Sequence, residues 1–290
     1  MTAKPNLFSS LIQGSAALTV ALSVFGLSVA SAADTINIVF EAPGAASKSI
    51  PIDNLALQGG KFTVKVPGEG LPTTPFPESL ASHVSGDKPA EIDQAVGLLL
   101  LNKPLDALAL LEPLLEKHKV SAKVPGNYWI EAARAALVAY SINRSTSKCE
   151  EIGKALSDAT PAVGDDPQVA LSRAMLTSLS VKIDDRISAL AVLATDSSPP
   201  EVSAYACFFR ANLLKTAKRN AEALEAYLTI PSVYPTGGRV INAAAGLNAA
   251  EILANMNRRD EAVTLLQDSV REGKNTVIAT EAEKKIPLIK

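Results

Sequence analysis

The chain repeats itself. Asp106-Ala107-Leu108-Ala109-Leu110-Leu111 recurs as Glu222-Ala223-Leu224-Glu225-Ala226-Tyr227 and as Glu261-Ala262-Val263-Thr264-Leu265-Leu266. Looser versions are Glu151-Ile152-Gly153-Lys154-Ala155-Leu156 and Arg186-Ile187-Ser188-Ala189-Leu190. The anchors at 107, 152, 187, 223 and 262 stand 45, 35, 36 and 39 residues apart. That period holds one helix, a turn and a second helix, and a lone helical hairpin cannot bury its apolar face. The hairpins must therefore stack on one another. The alanine at 107, 223 and 262 lets the second helix of a pair lie close against the first. The Leu or Val beside it, and the aliphatic three or four positions later, fill the groove to the next pair.

The near-3.6 period starts at residue 90 and predicts paired helices over 91–101 and 104–118, 127–142 and 147–159, 167–181 and 184–194, 200–217 and 220–233, and 239–257 and 260–273. A last amphipathic segment covers 278–288. Pro125-Gly126, Pro161, Pro199-Pro200 and Pro235 fall between pairs. Prolines at 104, 167 and 200 open helices at the first turn, where the missing N–H costs nothing. The fullest text is Ala223 to Ile230 with Tyr234-Pro235 behind it, followed by an alanine-rich helix and Arg258-Arg259-Asp260-Glu261-Ala262. This pattern resembles the tetratricopeptide repeat, in the form found in exported bacterial envelope proteins of the periplasm, and the likeness spans residues 90–290. It implies an all-α helical-hairpin solenoid of about five repeats. It also implies a non-enzymatic scaffold that holds a partner protein or peptide.

The text before residue 90 is different. Residues 1–33 read as a signal peptide: Lys4 is the one charged side chain, 16–29 is apolar, and Ala30-Ser31-Ala32-Ala33 offers a small-residue cleavage site. That apolar run is shorter than the roughly 20 residues a membrane span needs. The expectation is an exported protein, periplasmic or secreted, with no membrane span after cleavage. Residues 34–66 predict a small β element. Ile36, Ile38 and Phe40 alternate with other residues, and Gly59-Gly60 joins 55–58 to 61–66 as a hairpin. Residues 67–89 carry prolines at 67, 72, 75, 77 and 89 and read as a linker.

Chemistry is sparse. A net charge of -2 offers nothing to grip nucleic acid. The two histidines, His83 and His118, lie in different regions, and no HExxH, CxxC or GxSxG occurs. No catalytic residue, metal site or cofactor is expected. His118 reads as a cation at a helix C-terminus, and Asp165-Asp166 and Asp184-Asp185 read as helix N-caps or first-turn acids. Cys149 and Cys207 stand two repeats apart, too far for a disulfide, and are expected as buried thiols. Trp129 is assigned to the core, and of Phe208 and Phe209 only one can point there.

Stacked pairs curve, and their first helices line a concave surface. The groove is therefore expected on 127–142, 167–181, 200–217 and 239–257, with Arg134, Arg173, Arg210 and Asn248 as candidate contacts for a protein or peptide. The alternatives are a self-assembling structural protein that forms a homo-oligomer through the hairpin edge, or a carbohydrate- or small-ligand-binding protein.

Overall fold

A computed structural model describes residues 35–41, 46–161 and 164–289, so the proposed signal peptide lies outside the described residues. From Ala90 onward the chain is helical hairpins. They are α1 (Ala90–Leu100) with α2 (Pro104–His118), α3 (Trp129–Ile142) with α4 (Thr146–Ala159), α5 (Pro167–Met175) with α6 (Ile183–Ala191), α7 (Pro200–Thr216) with α8 (Asn220–Val233), and α9 (Arg239–Asn255) with α10 (Arg259–Glu272). A final α11 spans Val277–Ile289. Four of the hairpin turns share one device. Asn102, Arg144, Lys218 and Asn257 take left-handed backbone at φ 57–64°. The next residue's N–H then reaches back five positions, as in Lys103 to Leu98, Ser145 to Tyr140, Arg219 to Leu214 and Arg258 to Leu253, each at 2.9 Å. This bond satisfies a carbonyl that the ending helix leaves open. Among the described residues no helix is long and apolar enough to cross a membrane.

The row of first helices does not stay open. α1 packs on α3, α3 on α5, α5 on α7 and α7 on α9, and α9 returns to α1. Asp93 of α1 pairs with Arg239 of α9. Gln94 donates to the Asn275 carbonyl at 2.5 Å. Gly97 lets α11 come close, since a Cβ there would stand 2.9 Å from Val277 Cγ2. In an open array each repeat touches only its neighbours. Here first and last meet, so the continuous concave groove expected along the first helices is replaced by a ring with two ends. Composition explains which helices go inside. On α9, Val240, Ile241, Ala243, Ala244, Ala245, Leu247, Ala249, Ala250, Ile252 and Leu253 are all buried, which leaves no single apolar stripe, as an inner helix requires. On α10 only Ala262, Leu266 and Ser269 are buried, at the spacing of one face.

The β element consists of two three-stranded antiparallel sheets. β1 (Asn37–Phe40), β2 (Lys48–Pro51) and β6 (Ala81–Ser85) form one in the order β2-β1-β6. β3 (Leu55–Gln58), β4 (Lys61–Val64) and β5 (Phe76–Pro77) form the other in the order β3-β4-β5. β3 and β4 make the hairpin expected from the sequence, with Gln58 opposite Lys61. Gly59 and Gly60 both have positive φ, 56° and 71°, as the two-residue turn demands. Segment 67–89, expected as a linker, instead supplies β5 and β6. Its prolines bracket the strands: Pro77 ends edge strand β5, and β6 lies in a window free of proline. The sheets enclose a separate small core of Ile38, Phe40, Ile50, Ile52, Leu55, Phe62, Val84 and Val124.

This element is fastened to α2 and α3. Val84 N–H donates to the Pro125 carbonyl at 2.9 Å, the Tyr128 hydroxyl to the Gly86 carbonyl at 2.6 Å, and Lys117 pairs with Asp53 at 3.5 Å. His118 sits at this joint, at the C-terminal end of α2 as expected, but buried, where burial disfavours the cation that was expected there. Its ring is 2 % exposed, lies edge-on to Tyr128 at 6.3 Å, and neither nitrogen has a partner. Burial holds its pKa below the ordinary 6.5; Lys117 pushes the same way, while Asp53 and Glu91 oppose. An unfolded chain binds this proton near pH 6.5, and the folded chain only at lower pH. The His118 contribution to stability is therefore complete above about pH 6.5 and falls as pH drops from there to the folded pKa, by at most about 1.4 kcal/mol per pH unit. His118→Phe should remove that slope. Urea unfolding of both proteins between about pH 7.5 and 5 measures it, and parallel curves would show that His118 is not the group responsible.

Candidate functional site

The ring has a cavity at each end. At the hairpin-turn end, where α1, α3, α5, α7, α9 and α11 finish, a space of about 770 Å³ opens. Its floor is apolar: Leu99, Ile142, Met175, Leu190, Phe209, Leu213 and Leu247. Its rim carries five cations, Lys103, Arg144, Arg186, Lys215 and Lys285, against two carboxylates, Glu251 and Glu281, with the amides of Asn102, Asn212 and Asn248 between them. Each side chain is set by its turn or neighbour. Arg144, in its left-handed turn, donates to the carbonyls of Met175, Leu176 and Thr177 and so closes the C-terminus of α5. Lys215 and Lys285 both bind Glu251, at 2.7 and 2.8 Å. Burial would raise the Glu251 carboxyl, but the hydrogen bonds from the two lysines outweigh it and hold its pKa below the usual range. Lys103 and Arg186 have no carboxylate partner among the described residues, and they leave the rim with unspent positive charge.

The second cavity, about 710 Å³, lies at the opposite end, between the N-terminal turns of α1, α3, α7 and α9 and residues 122–127 beside the β element. Lys88, Asp93, Lys123, Glu131, Arg134, Glu201 and Arg239 line it, above Ile130, Val240, Ile241 and Tyr205. Lys88 bridges Asp93 at 2.7 Å and also pairs with Glu131. Burial pushes the Glu201 carboxyl above its ordinary range, and Arg134 offsets part of this. The two cavities are separated on α7. Tyr205 faces this one and Phe209 the turn-end one, with their rings stacked at 6.2 Å and 13°.

The four residues expected to share one groove are dispersed. Asn248 lines the turn-end cavity and donates to the Ala244 carbonyl at 2.9 Å. Arg134 lines the opposite cavity and is held by Asp166, which takes its Nε and Nη2 at 3.0 and 2.8 Å. Arg173 is exposed on the outside of α5, in a loose pair with Asp165 at 3.6 Å. Arg210 lines neither cavity, and its Nε is buried without a partner. Asp166 caps α5 through Gln168 N–H at 2.9 Å, as expected of it. Its role as the buried anion for Arg134 was not visible, because the two are 32 residues apart. The rim cations were missed for a related reason: Lys103 and Arg144 sit in hairpin turns, Arg186 on α6, Lys215 in the last turn of α7 and Lys285 on α11, so no single helix face gathers them. Phe208 is buried while Phe209 reaches the cavity floor. Trp129 is buried, and Cys149 and Cys207 are buried free thiols. Among the described residues no three metal-ligating side chains come together. No family model, no curated protein and no solved structure matches the chain.

Proposed function

We propose that the protein is a non-enzymatic scaffold of the bacterial cell envelope, related to the tetratricopeptide-repeat proteins. On this reading it holds an acidic, partly apolar segment of a partner protein in the turn-end cavity. One observation carries the reading: five cations face two carboxylates over an apolar floor, on a chain whose net charge is -2. A cavity of this size takes a few side chains, not a whole domain. Unpaired cations on a rim select an anionic partner and speed its approach more than they add to its affinity. Leu105, Met256 and Leu288, at 64 %, 48 % and 79 % exposure, belong to the same end of the ring, two at hairpin turns and one at the end of α11. They give a docked partner apolar contacts outside the cavity. The repeat text and the leader-like residues 1–33 support the envelope setting.

A photo-crosslinking residue placed at Phe209, in protein incubated with the envelope fraction of its own cells, tests this. The expected result is one dominant crosslinked protein that disappears when Lys103 and Arg186 are both changed to Glu. Crosslinks that survive the charge reversal, or links only between copies of the chain, would overturn the reading.

A further inference from the structure

We propose that the second cavity, at the N-terminal ends of the inner helices, is a binding site for a small neutral ligand rich in hydroxyl groups, the saccharide class, held by Tyr205, Glu201 and Arg134. This site is separate from the turn-end cavity and does not depend on what that cavity binds.

The first observation is Tyr205 itself. Its side chain is 4 % exposed and forms part of the cavity wall, yet its hydroxyl makes no hydrogen bond to any described residue. A tyrosine packed this deeply normally spends its O–H on the protein. Packing alone does not require the oxygen, since a phenylalanine would fill the same volume against Phe209. The hydroxyl therefore stands ready for something in the cavity.

The second observation is how the surrounding charges are disposed. Arg134 commits Nε and Nη2 to Asp166 and turns Nη1 toward Glu201 at the longer distance of 3.5 Å. Glu201 thus keeps acceptor capacity, and Arg134 keeps part of its donor fork. Of the other charged groups, Lys88 is engaged with Asp93 and Glu131, and Arg239 with Asp93, while Lys123 is exposed and has no carboxylate partner among the described residues. Apart from the exposed Lys123, a charged ligand would have to break one of these pairs to gain a partner. A hydroxyl group needs no such exchange, because it can donate to Glu201 and accept from Arg134 or Tyr205 at once. Ile130, Val240 and Ile241 offer apolar surface for the C–H faces of such a ligand, and the volume suits a mono- or disaccharide.

Saturation-transfer NMR on the full chain tests the assignment, with glucose, N-acetylglucosamine and cellobiose as neutral probes and spermidine and acetate as charged ones. At least one neutral sugar should show transfer. Its affinity should fall about tenfold in Tyr205→Phe and in Glu201→Gln, each of which removes a single hydrogen-bonding group. Arg186→Glu, at the other end of the ring, should leave it unchanged. The proposal is overturned if no sugar gives a signal, if Tyr205→Phe leaves the signal intact, or if spermidine or acetate binds in place of the sugars.

Discussion

Arg134→Glu should destabilise the protein by about 3–5 kcal/mol, the usual result of breaking a buried ion pair by removing one partner. Asp166 is 1 % exposed and depends on Arg134 for two hydrogen bonds. The reversal would leave that carboxylate unneutralised inside the protein. It would also set a new anion near Glu201 and Glu131, whose charges already bear on this arginine. The same exchange at Arg173, where both partners of a 3.6 Å pair are mostly exposed, should stay within about 0.5 kcal/mol. Urea denaturation of the two variants, compared at equal slope, gives the answer. A small loss in Arg134→Glu would mean that Asp166 is satisfied by other groups. The contrast matters for function, because lost binding in Arg134→Glu would report a damaged fold and not a damaged contact.

These two arginines also mark how far the sequence could be read. Helix pairs were legible because punctuation and period agree: Asn102 and Asn257 sit where the chain needs left-handed backbone, and Pro104, Pro167 and Pro200 sit at first turns. Arg144 and Lys218 occupy the same kind of turn without announcing it. Closure of the ring left no periodic trace. It rests on pairs such as Asp93 with Arg239, 146 residues apart, and on Gly97 beside Val277, and neither changes the local pattern. Strand β6 was hidden as well. Only Val84 of Ala81–Ser85 is buried, so no alternation rises above the prolines on either side. The candidate site suffered most, because its charges gain meaning only from partners on other helices. Choosing residues by their place on the first helices found Asn248 in the turn-end cavity and missed Arg186 and Lys285.

Phe62→Ala is the other large effect expected, and it would show whether the β element and the ring are separate cooperative units. Phe62 is fully buried. Its ring meets Phe40 edge-on at 5.2 Å and stacks near Phe76 at 6.0 Å. Truncating a buried phenylalanine costs about 3–5 kcal/mol through lost transfer energy and the hole left behind. The core around Phe62 is small and distinct from the helical one, so it cannot absorb such a loss by repacking. The ring keeps its own core and its closure through Asp93, Arg239 and Gly97, none of which touches that core. The variant should therefore lose hydrogen-exchange protection in β1 to β6 while the inner helices stay protected. Uniform loss across the chain would mean that the two cores fold as one. Residues 122–127 line the second cavity and hold β6 through Pro125, so sugar binding should weaken in Phe62→Ala. Crosslinking at Phe209 should persist, because no strand reaches the turn end. Loss of both together would mean that the β element supports the whole ring, which the separate cores argue against.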